Sequence, residues 1–463
     1  MAERKSLFNR GFKSVGVPVR EEAPITLDEE QESAVRSEES NVLVIAGAGS
    51  GKTRVLTERV KYLLSRGVQP SNVVAITFTN MAAEEMRERL SDVEGIGDAF
   101  IGTIHSFANR VMKLSGDKSY RLYDDSIDNE LHRELIKKYC KYLTYDRFIE
   151  YKELRNLAEM GKRSDSEVSN FLSSTERSEL YLIEREKEVI DYEVEHSPGH
   201  KTDYPESVRS LCKERNIITF DELLIRAERY FRSINAKVEH VLVDEFQDVG
   251  TLEFKFIEAL QSDNYFIVGD DWQSIYSFKG GNVQIFKKLA TDGLFHVYYL
   301  THNYRNCLSV LHTADTVIRQ VHDKIPKQVN PVRDTEGKVR VLSKSSLPSV
   351  LQDIRRAKNY KDWFILCRSN KELYAMVDRC SDYEVPCITF KREGMSLADL
   401  RKYMEMNRVK ILTVHVSKGL EAENVVLFGS FPLICPSYRL NEEERKVMYV
   451  GVTRAKDNLI ILN

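Results

Sequence analysis

The 463-residue sequence predicts an α/β protein made of two parallel-sheet units, the first interrupted by a helical insertion. Three observations carry that expectation. Short apolar β-type runs alternate with helix-period stretches, a glycine-rich loop joins the first run to the first helix, and the alternation lapses between Val111 and Arg215 before it resumes. At roughly 150 residues per domain the length suits about three domains. Hydrophobic residues at 42% and charged residues at 30% lie near globular averages, which disfavours wholesale disorder or a fibrous architecture. Lys plus Arg (68) against Asp plus Glu (71) leaves a formal charge of -3, so a uniformly basic coat is excluded and any nucleic-acid surface has to be a local groove.

Residues 1–24 are basic, hold Gly11, Gly16, Pro18 and Pro24 among few large apolar residues, and read as a mobile tail. No apolar run approaches the roughly 18 residues needed to cross a bilayer, and MAERKSLFNRGFKSVG lacks the apolar stretch of a signal peptide, so a cytoplasmic chain without a membrane partner is expected. Residues 41–46 form the first apolar strand, followed by the glycine loop at 47–53 and a helical stretch to Leu64. Residues 73–78 predict a second strand, 82–90 a helix and 100–104 a third strand, the βαβ rhythm of a parallel sheet. Charged, helix-favouring segments such as ELIKKYCKYL and SELYLIEREKEVIDYEVEH then take over, which predicts the insertion. Strand-type runs return at 240–243, 265–268, 295–300, 339–342, 363–367, 409–414 and 424–428, without internal repeats or low-complexity segments. The seven cysteines (Cys140, Cys212, Cys307, Cys367, Cys380, Cys387 and Cys435) are scattered and contain no C-x-x-C pair, a pattern of reduced thiols rather than of a zinc or iron–sulfur site.

Gly47-Ala48-Gly49-Ser50-Gly51-Lys52-Thr53, set between a strand and a helix, fits a P-loop. Glycines let backbone N–H groups converge on phosphate oxygens at a helix N-terminus, Lys52 would meet the β- and γ-phosphates, and the Thr53 hydroxyl would reach Mg²⁺. Such a site also needs a carboxylate for the metal and a group to activate water. Val241-Leu242-Val243-Asp244-Glu245 offers Asp244 for Mg²⁺ and Glu245 for water at the end of an apolar strand, where ligands of open α/β sheets bind. Positive charge for the γ-phosphate could come from Arg305 in Asn-Tyr-Arg or Arg454 in Val-Thr-Arg-Ala, although each would equally suit a structural ion pair.

Nine blocks then stand in a fixed order: Gln31 in LDEEQESAV, AGAGSGKT at 46–53, ITFTNMAAEEM at 76–86, GTIHSF at 102–107, VDEFQD at 243–248, VGDDWQSIYSFKG at 268–280, NYR at 303–305, TVHVSKGLE at 413–421 and YVGVTRA at 449–455. Over residues 27–461 the chain resembles the superfamily 1 DNA helicases of the UvrD/Rep/PcrA type. The resemblance implies a P-loop NTPase of two RecA-like parallel-sheet domains: 1A at 25–112 and 216–289, the helical insertion 1B at 113–215, and 2A at 290–463. It implies ATP and Mg²⁺ as cofactors, with Gly47, Ala48, Gly49, Ser50, Gly51, Lys52 and Thr53 around the phosphates. Gln31 would read the adenine edge, Arg54 and Tyr304 would pack on the base faces, Gln273 would sense the γ-phosphate, Arg305 and Arg454 would be arginine fingers, and Glu421 would hold the ribose. Phe78, Tyr276 and Phe278 would form an aromatic ladder for bases, with His105, Lys279, Asn370 and His415 as further strand contacts.

Three departures from the family pattern stand out. Position 278 is Phe where the family usually has Trp, Val416 replaces a small hydroxyl residue, and the additional 2B domain of larger relatives is reduced to a short segment near 391–407. The implied activity is ATP-dependent 3′ to 5′ translocation on single-stranded DNA with unwinding of 3′-tailed duplexes, in repair or replication and with a possible nuclease, repair or replication partner. A DNA-sensing regulatory ATPase subunit without processive unwinding is the alternative. A P-loop kinase would leave 303–305, 413–421 and 449–455 without a purpose.

Overall fold

In the computed structural model, which describes residues 26–117, 120–122, 133, 136–137, 140–159, 165–180, 216–276, 281–390, 395–429 and 442–463, NVLVIA forms β1 (Asn41–Ala46) with every residue after Asn41 buried. Such a run suits a parallel strand covered on both faces. The glycine loop turns it into the helix Lys52–Ser65. Gly49 and Gly51 have φ of +67° and +84°, and a Cβ on Gly49 would lie 2.8 Å from Cβ of Arg305, so space and backbone both demand glycine there.

The chain continues through β2 (Val73–Thr77), β3 (Phe100–Thr103), the short β4 (Arg121–Leu122) and β5 (Ile217–Ile218), then β6 (His240–Val243), β7 (Asn264–Gly269) and β8 (His296–Leu300). Six of these make a parallel sheet in the order β3-β2-β6-β7-β1-β8. Because β7 lies between β1 and β6, the loop after β7 emerges between the P-loop and the acids that follow β6. The helices Glu29–Val35 and Lys52–Ser65 bury Ala34, Val55 and Leu56 against Val42, Val44 and Phe266 of this sheet. The first sheet takes in β8, beyond residue 290, the expected start of the second domain. Chain order alone does not specify which sheet edge a strand joins, and β8 pairs with β1.

The rest of the chain adds β9 (His302–Asn303) paired with β10 (Asn330–Pro331), then β11 (Lys338–Leu342), β12 (Trp363–Cys367), β13 (Cys387–Ile388), β14 (Val409–Thr413), β15 (Ala422–Phe428) and β16 (Ala455–Leu462). The second six-stranded sheet runs β11-β16-β15-β12-β14-β13, again parallel throughout. Helices Leu308–Ile318 and Glu442–Val452 cover one face, and Leu347–Ala357 and Asn370–Asp382 the other. β16 was not anticipated, because the polar start of AKDNLIIL hides a strand whose last four residues are buried between β11 and β15.

Residues up to Ile104 together with Ala236–Asn463 form one compact unit, and His105–Asn235 form another. Within the second unit the described helices include Tyr145–Glu159, Asp165–Phe171 and Phe220–Ser233, the pair β4–β5 is parallel, and Ile136, Leu143, Phe148, Leu172 and Leu180 make an apolar cluster. The tail at 1–24, most of the segment 178–196, Phe278 and Lys279 lie outside the described residues. Among those described, no helix is long and apolar enough to cross a membrane.

Candidate active site

The parallel strands of the first sheet deliver their ends to one edge, and there the predicted phosphate and metal groups meet. Thr53 Oγ1 donates to Asp244 Oδ2 at 2.9 Å across 191 residues of sequence. Burial, and then the neighbouring Glu245 charge, push the Asp244 carboxyl above its ordinary range. Lys52 Nζ stands 3.9 Å from Glu245 Oε1 and 3.8 Å from Asp270 Oδ2. Glu245 has φ of +51°, a costly backbone state for a non-glycine residue, and it lies two residues past the end of β6. Its carboxylate accepts from Gln247 Nε2 and lies 3.4 Å from Lys418 Nζ. Burial opposes that charge, but Lys52 and Lys418 outweigh it and hold Glu245 below the usual carboxylate range. A hydroxyl and a carboxylate side by side beneath a glycine loop are hard oxygen donors, few in number, which suits Mg²⁺ shared with a triphosphate. Buried Thr77 Oγ1 and Asp248 Oδ1 add two polar atoms without a protein partner on the wall of the same cavity.

Cations reach this edge from the second sheet. Arg454, in the turn into β16, is 1% exposed; its Nη2 donates to Gln273 Oε1 at 3.0 Å, its Nε to Val450 O at 2.9 Å and its Nη1 to Leu420 O at 3.2 Å. Burial, and then the charge of Arg305, push its guanidinium down to about 9, so it remains protonated at neutral pH and would gain from a nearby anion. Gln273 in turn donates to Asp270, so one amide joins an acid of the first sheet to an arginine of the second. Arg305 Nε donates to Glu421 Oε2 at 2.5 Å, and Lys456 stands 3.2 Å from the same carboxylate. Tyr304 is exposed, donates its hydroxyl to Asp28, and sits beside the P-loop through its own N–H to Gly49 O at 3.0 Å. Gln31 is buried, with Nε2 donating to Ser50 O at 2.9 Å and Oε1 accepting from Asp28 N. Arg54 lines the cavity with Lys52, Glu245, Arg305 and Arg454, a space of about 450 Å³.

Several residues that sequence reasoning passed over organise this site. Lys418 is buried, donates to Asp248 and, at 3.1 Å, to Gln273 O; burial works against its charge, but Asp248 and Glu245 raise its pKa above the ordinary lysine value. The Lys327 side chain is buried over the Trp272 ring, with Nζ 2.6 Å from Asp270 Oδ1, 3.0 Å from Asp271 Oδ1 and 2.9 Å from Ala46 O. Asn303 reaches Ala48 O at 2.6 Å and Asn306 Oδ1 at 2.9 Å, fixing the Asn-Tyr-Arg turn against the P-loop. Asp270 was legible by the rule that singled out Asp244, since both follow an apolar strand. Lys327 lies in irregular chain and carries no local signal.

Among the predicted strand contacts, Phe78 follows β2 with 38% of its surface exposed, so it is no core residue. Its ring stacks on Tyr276 at 5.3 Å and 25°. The Tyr276 hydroxyl donates to His415 O at 3.0 Å, and the Tyr276 and His415 rings are 6.1 Å apart. These three form an aromatic row from the end of β2 to the loop after β14. Asn370 is exposed at the start of Asn370–Asp382. His105 belongs to the other unit, edge-on to Phe220 at 5.1 Å, and burial pushes its imidazole down to about 4.

Comparison with known families matches residues 27–293 to the UvrD/REP helicase N-terminal domain and residues 391–463 to the UvrD-like helicase C-terminal domain. A probable DNA helicase of Mycoplasma pneumoniae is 28% identical over 468 residues, covering 94% of this chain and 83% of that protein. The ATP-dependent DNA helicase PcrA of Staphylococcus aureus is 29% identical over 374 residues, 75% of this chain and 48% of the relative. A probable DNA helicase II homolog of Mycoplasma capricolum is 28% identical over 489 residues, 94% of this chain and 63% of its own length. The chain thus spans about half the length of the PcrA relative and most of the M. pneumoniae one.

Proposed function

The chain belongs to the UvrD/REP helicase family, and from that premise we propose that it is an ATP-dependent DNA helicase that moves 3′ to 5′ along single-stranded DNA and opens 3′-tailed duplexes. The observation that carries this reading is the link Asp270–Gln273–Arg454, which joins the acid edge of one sheet to a buried cation of the other. In this reading residues 25–112 and 216–289 act as 1A, 113–215 as 1B and 290–463 as 2A, with β8 contributed to the 1A sheet.

The P-loop amides and Lys52 hold the β- and γ-phosphates of ATP. Thr53 and Asp244 would hold Mg²⁺, which would supply charge neutralisation at the phosphates. Glu245, anionic between two lysines, accepts a proton from the attacking water. Arg305 and Arg454 stabilise the charge that spreads over the γ-phosphoryl oxygens, and Gln273 reports its presence to both sheets. Tyr304 and Arg54 sandwich the base, Gln31 exchanges its bond to Ser50 for the adenine edge, and Glu421 turns from Arg305 to the ribose. Hydrolysis therefore alters the grip between the sheets, and the row Phe78–Tyr276–His415, which spans both, passes that change to stacked bases. His105, Phe278, Lys279 and Asn370 are further strand contacts in this proposal.

The experiment is ATP hydrolysis with and without single-stranded DNA, followed by unwinding of 3′-tailed, 5′-tailed and blunt duplexes. DNA-stimulated hydrolysis with opening of the 3′-tailed substrate is expected. Stimulated hydrolysis with no strand displacement would overturn the helicase assignment, and preference for a 5′ tail would overturn the polarity.

A further inference from the structure

The connector between β13 and β14 carries the helix Leu397–Glu405, whose two buried residues are Leu397 and Leu400. Leu397 and Leu400 share one apolar cluster with Met81, which lies on the helix Asn80–Arg89 that follows β2 of the first sheet. Glu84 Oε2 on that helix accepts the Leu397 N–H at 2.8 Å, satisfying an N-terminal donor that its own helix leaves open. The Arg401 fork then meets Glu88, with Nη1–Oε1 at 3.1 Å and Nη2–Oε2 at 2.5 Å. Met81, Glu84 and Glu88 are spaced three and four apart, so they occupy one helix face. That face is occupied by a helix of the other sheet.

Each helix is tied to its own sheet. Lys410, a fully buried residue of β14, donates to Met404 O at 2.7 Å and Met406 O at 2.8 Å, which satisfies carbonyls at the C-terminal end of the connector helix, and to Lys361 O at 3.3 Å in the turn before β12. The helix Asn80–Arg89 is capped by Thr79, whose hydroxyl accepts from Ala82 N at 3.2 Å, one residue after Phe78 of the aromatic row. Leu397 and Leu400 also line the cavity that holds Lys52, Glu245 and Arg454. A shift at this seam therefore moves a wall of the nucleotide cleft and the first ring of the row together.

We propose that Glu84, Glu88 and Arg401 are positioning residues for the ATP-driven step: they dock the connector helix on the helix after Phe78 and so set how far the nucleotide cleft closes. The inference rests on the helicase reading above and adds the device by which this short connector substitutes, at the cleft, for a larger insertion. The pair Arg401–Glu88 is half exposed, so its individual contribution is small, but reversing one charge replaces attraction with repulsion at a bidentate contact.

The test is steady-state and single-turnover ATP hydrolysis on single-stranded DNA by the full chain and by Arg401→Glu, Glu88→Arg and the two combined. Each single reversal should raise the KM for ATP by about three- to tenfold while the single-turnover rate at saturating ATP stays within about twofold, and the combined reversal should restore KM. Glu84→Ala should raise KM and Glu84→Gln, which still accepts the N–H, should not. Should a charge reversal fail to fold, Arg401→Lys, which keeps the charge and loses the fork, gives the same readout at smaller size. A parent enzyme that hydrolyses ATP on DNA while every variant keeps its KM would overturn the docking role alone, as would failure of the combined reversal to rescue. A parent enzyme without ATPase activity would overturn the function itself, and this inference with it.

Discussion

The two parallel sheets have six strands each and helices on their faces, yet they bring different sets of charge to the cleft. The first presents carboxylates where its strands end, Asp244 and Glu245 after β6 and Asp270 after β7. The second presents cations from its loops, Lys418 between β14 and β15 and Arg454 before β16. The acids are suited to metal and water, and the cations of the second sheet add to the positive charge that Lys52 already supplies beside them. In the proposed function neither sheet carries all of the hydrolytic groups, so hydrolysis would depend on the two being held together, and that dependence would let a chemical step drive motion.

Replacing a cation of the second sheet should have the largest effect. Arg454→Lys keeps a charge but loses the fork that meets Gln273, Val450 and Leu420, and DNA-stimulated turnover should fall by about 10³- to 10⁵-fold with nucleotide binding largely kept. Equal turnover by the variant would mean that the second sheet contributes packing only. On the first sheet, Glu245→Gln should slow turnover by about 10²- to 10⁴-fold and leave binding of a fluorescent ATP analogue intact. If that variant hydrolysed ATP at the parental rate, another group would have to activate the water.

The strand side responds less steeply. Tyr276→Ala removes the middle ring of the row and should weaken single-stranded DNA binding by about 1 to 3 kcal/mol, with hydrolysis in the absence of DNA little changed. Titration of a labelled oligonucleotide measures it, and unaltered affinity would remove the row from the strand path. The smallest effect is on stability against pH. His105, after β3, is held near 4 by burial against an ordinary value of 6.5, so as pH falls between those values the unfolded chain takes up a proton that the folded chain refuses, and stability is lost. Urea midpoints from pH 7 to 4.5 should fall less steeply in His105→Asn, and parallel slopes would show that another group carries the acid sensitivity.

Much of this was legible in the chain. The glycine loop and the acids after β6 were readable because their chemistry is written in consecutive residues and strand ends, whereas the two arginines were singled out with an ion pair left open and drew their proposed role from the resemblance. Phe78 and Tyr276 were grouped in one ladder by the resemblance, but His415 stood apart as a further strand contact, since its bond to Tyr276 joins positions 139 residues apart. Lys327 and Lys418 were not singled out, because a lysine in a loop has no local mark of the buried acid it will meet. β16 was concealed by its polar start, and the sheet that β8 joins could not be read from its order in the chain.

The sequence by itself determined the groups and their local geometry: a strand, glycines that tolerate positive φ, a lysine and hydroxyl at a helix start, and acids beyond an apolar strand. These depend on backbone sterics and on neighbours a few residues away. The tertiary structure alone decided the partners: Thr53 with Asp244 across 191 residues, Lys418 with Asp248 across 170, Gln273 with Arg454 across 181, and Arg401 with Glu88 across 313. Such pairings follow from which strands align and which helix faces are left to pack, and a charge does not carry the address of its counterion.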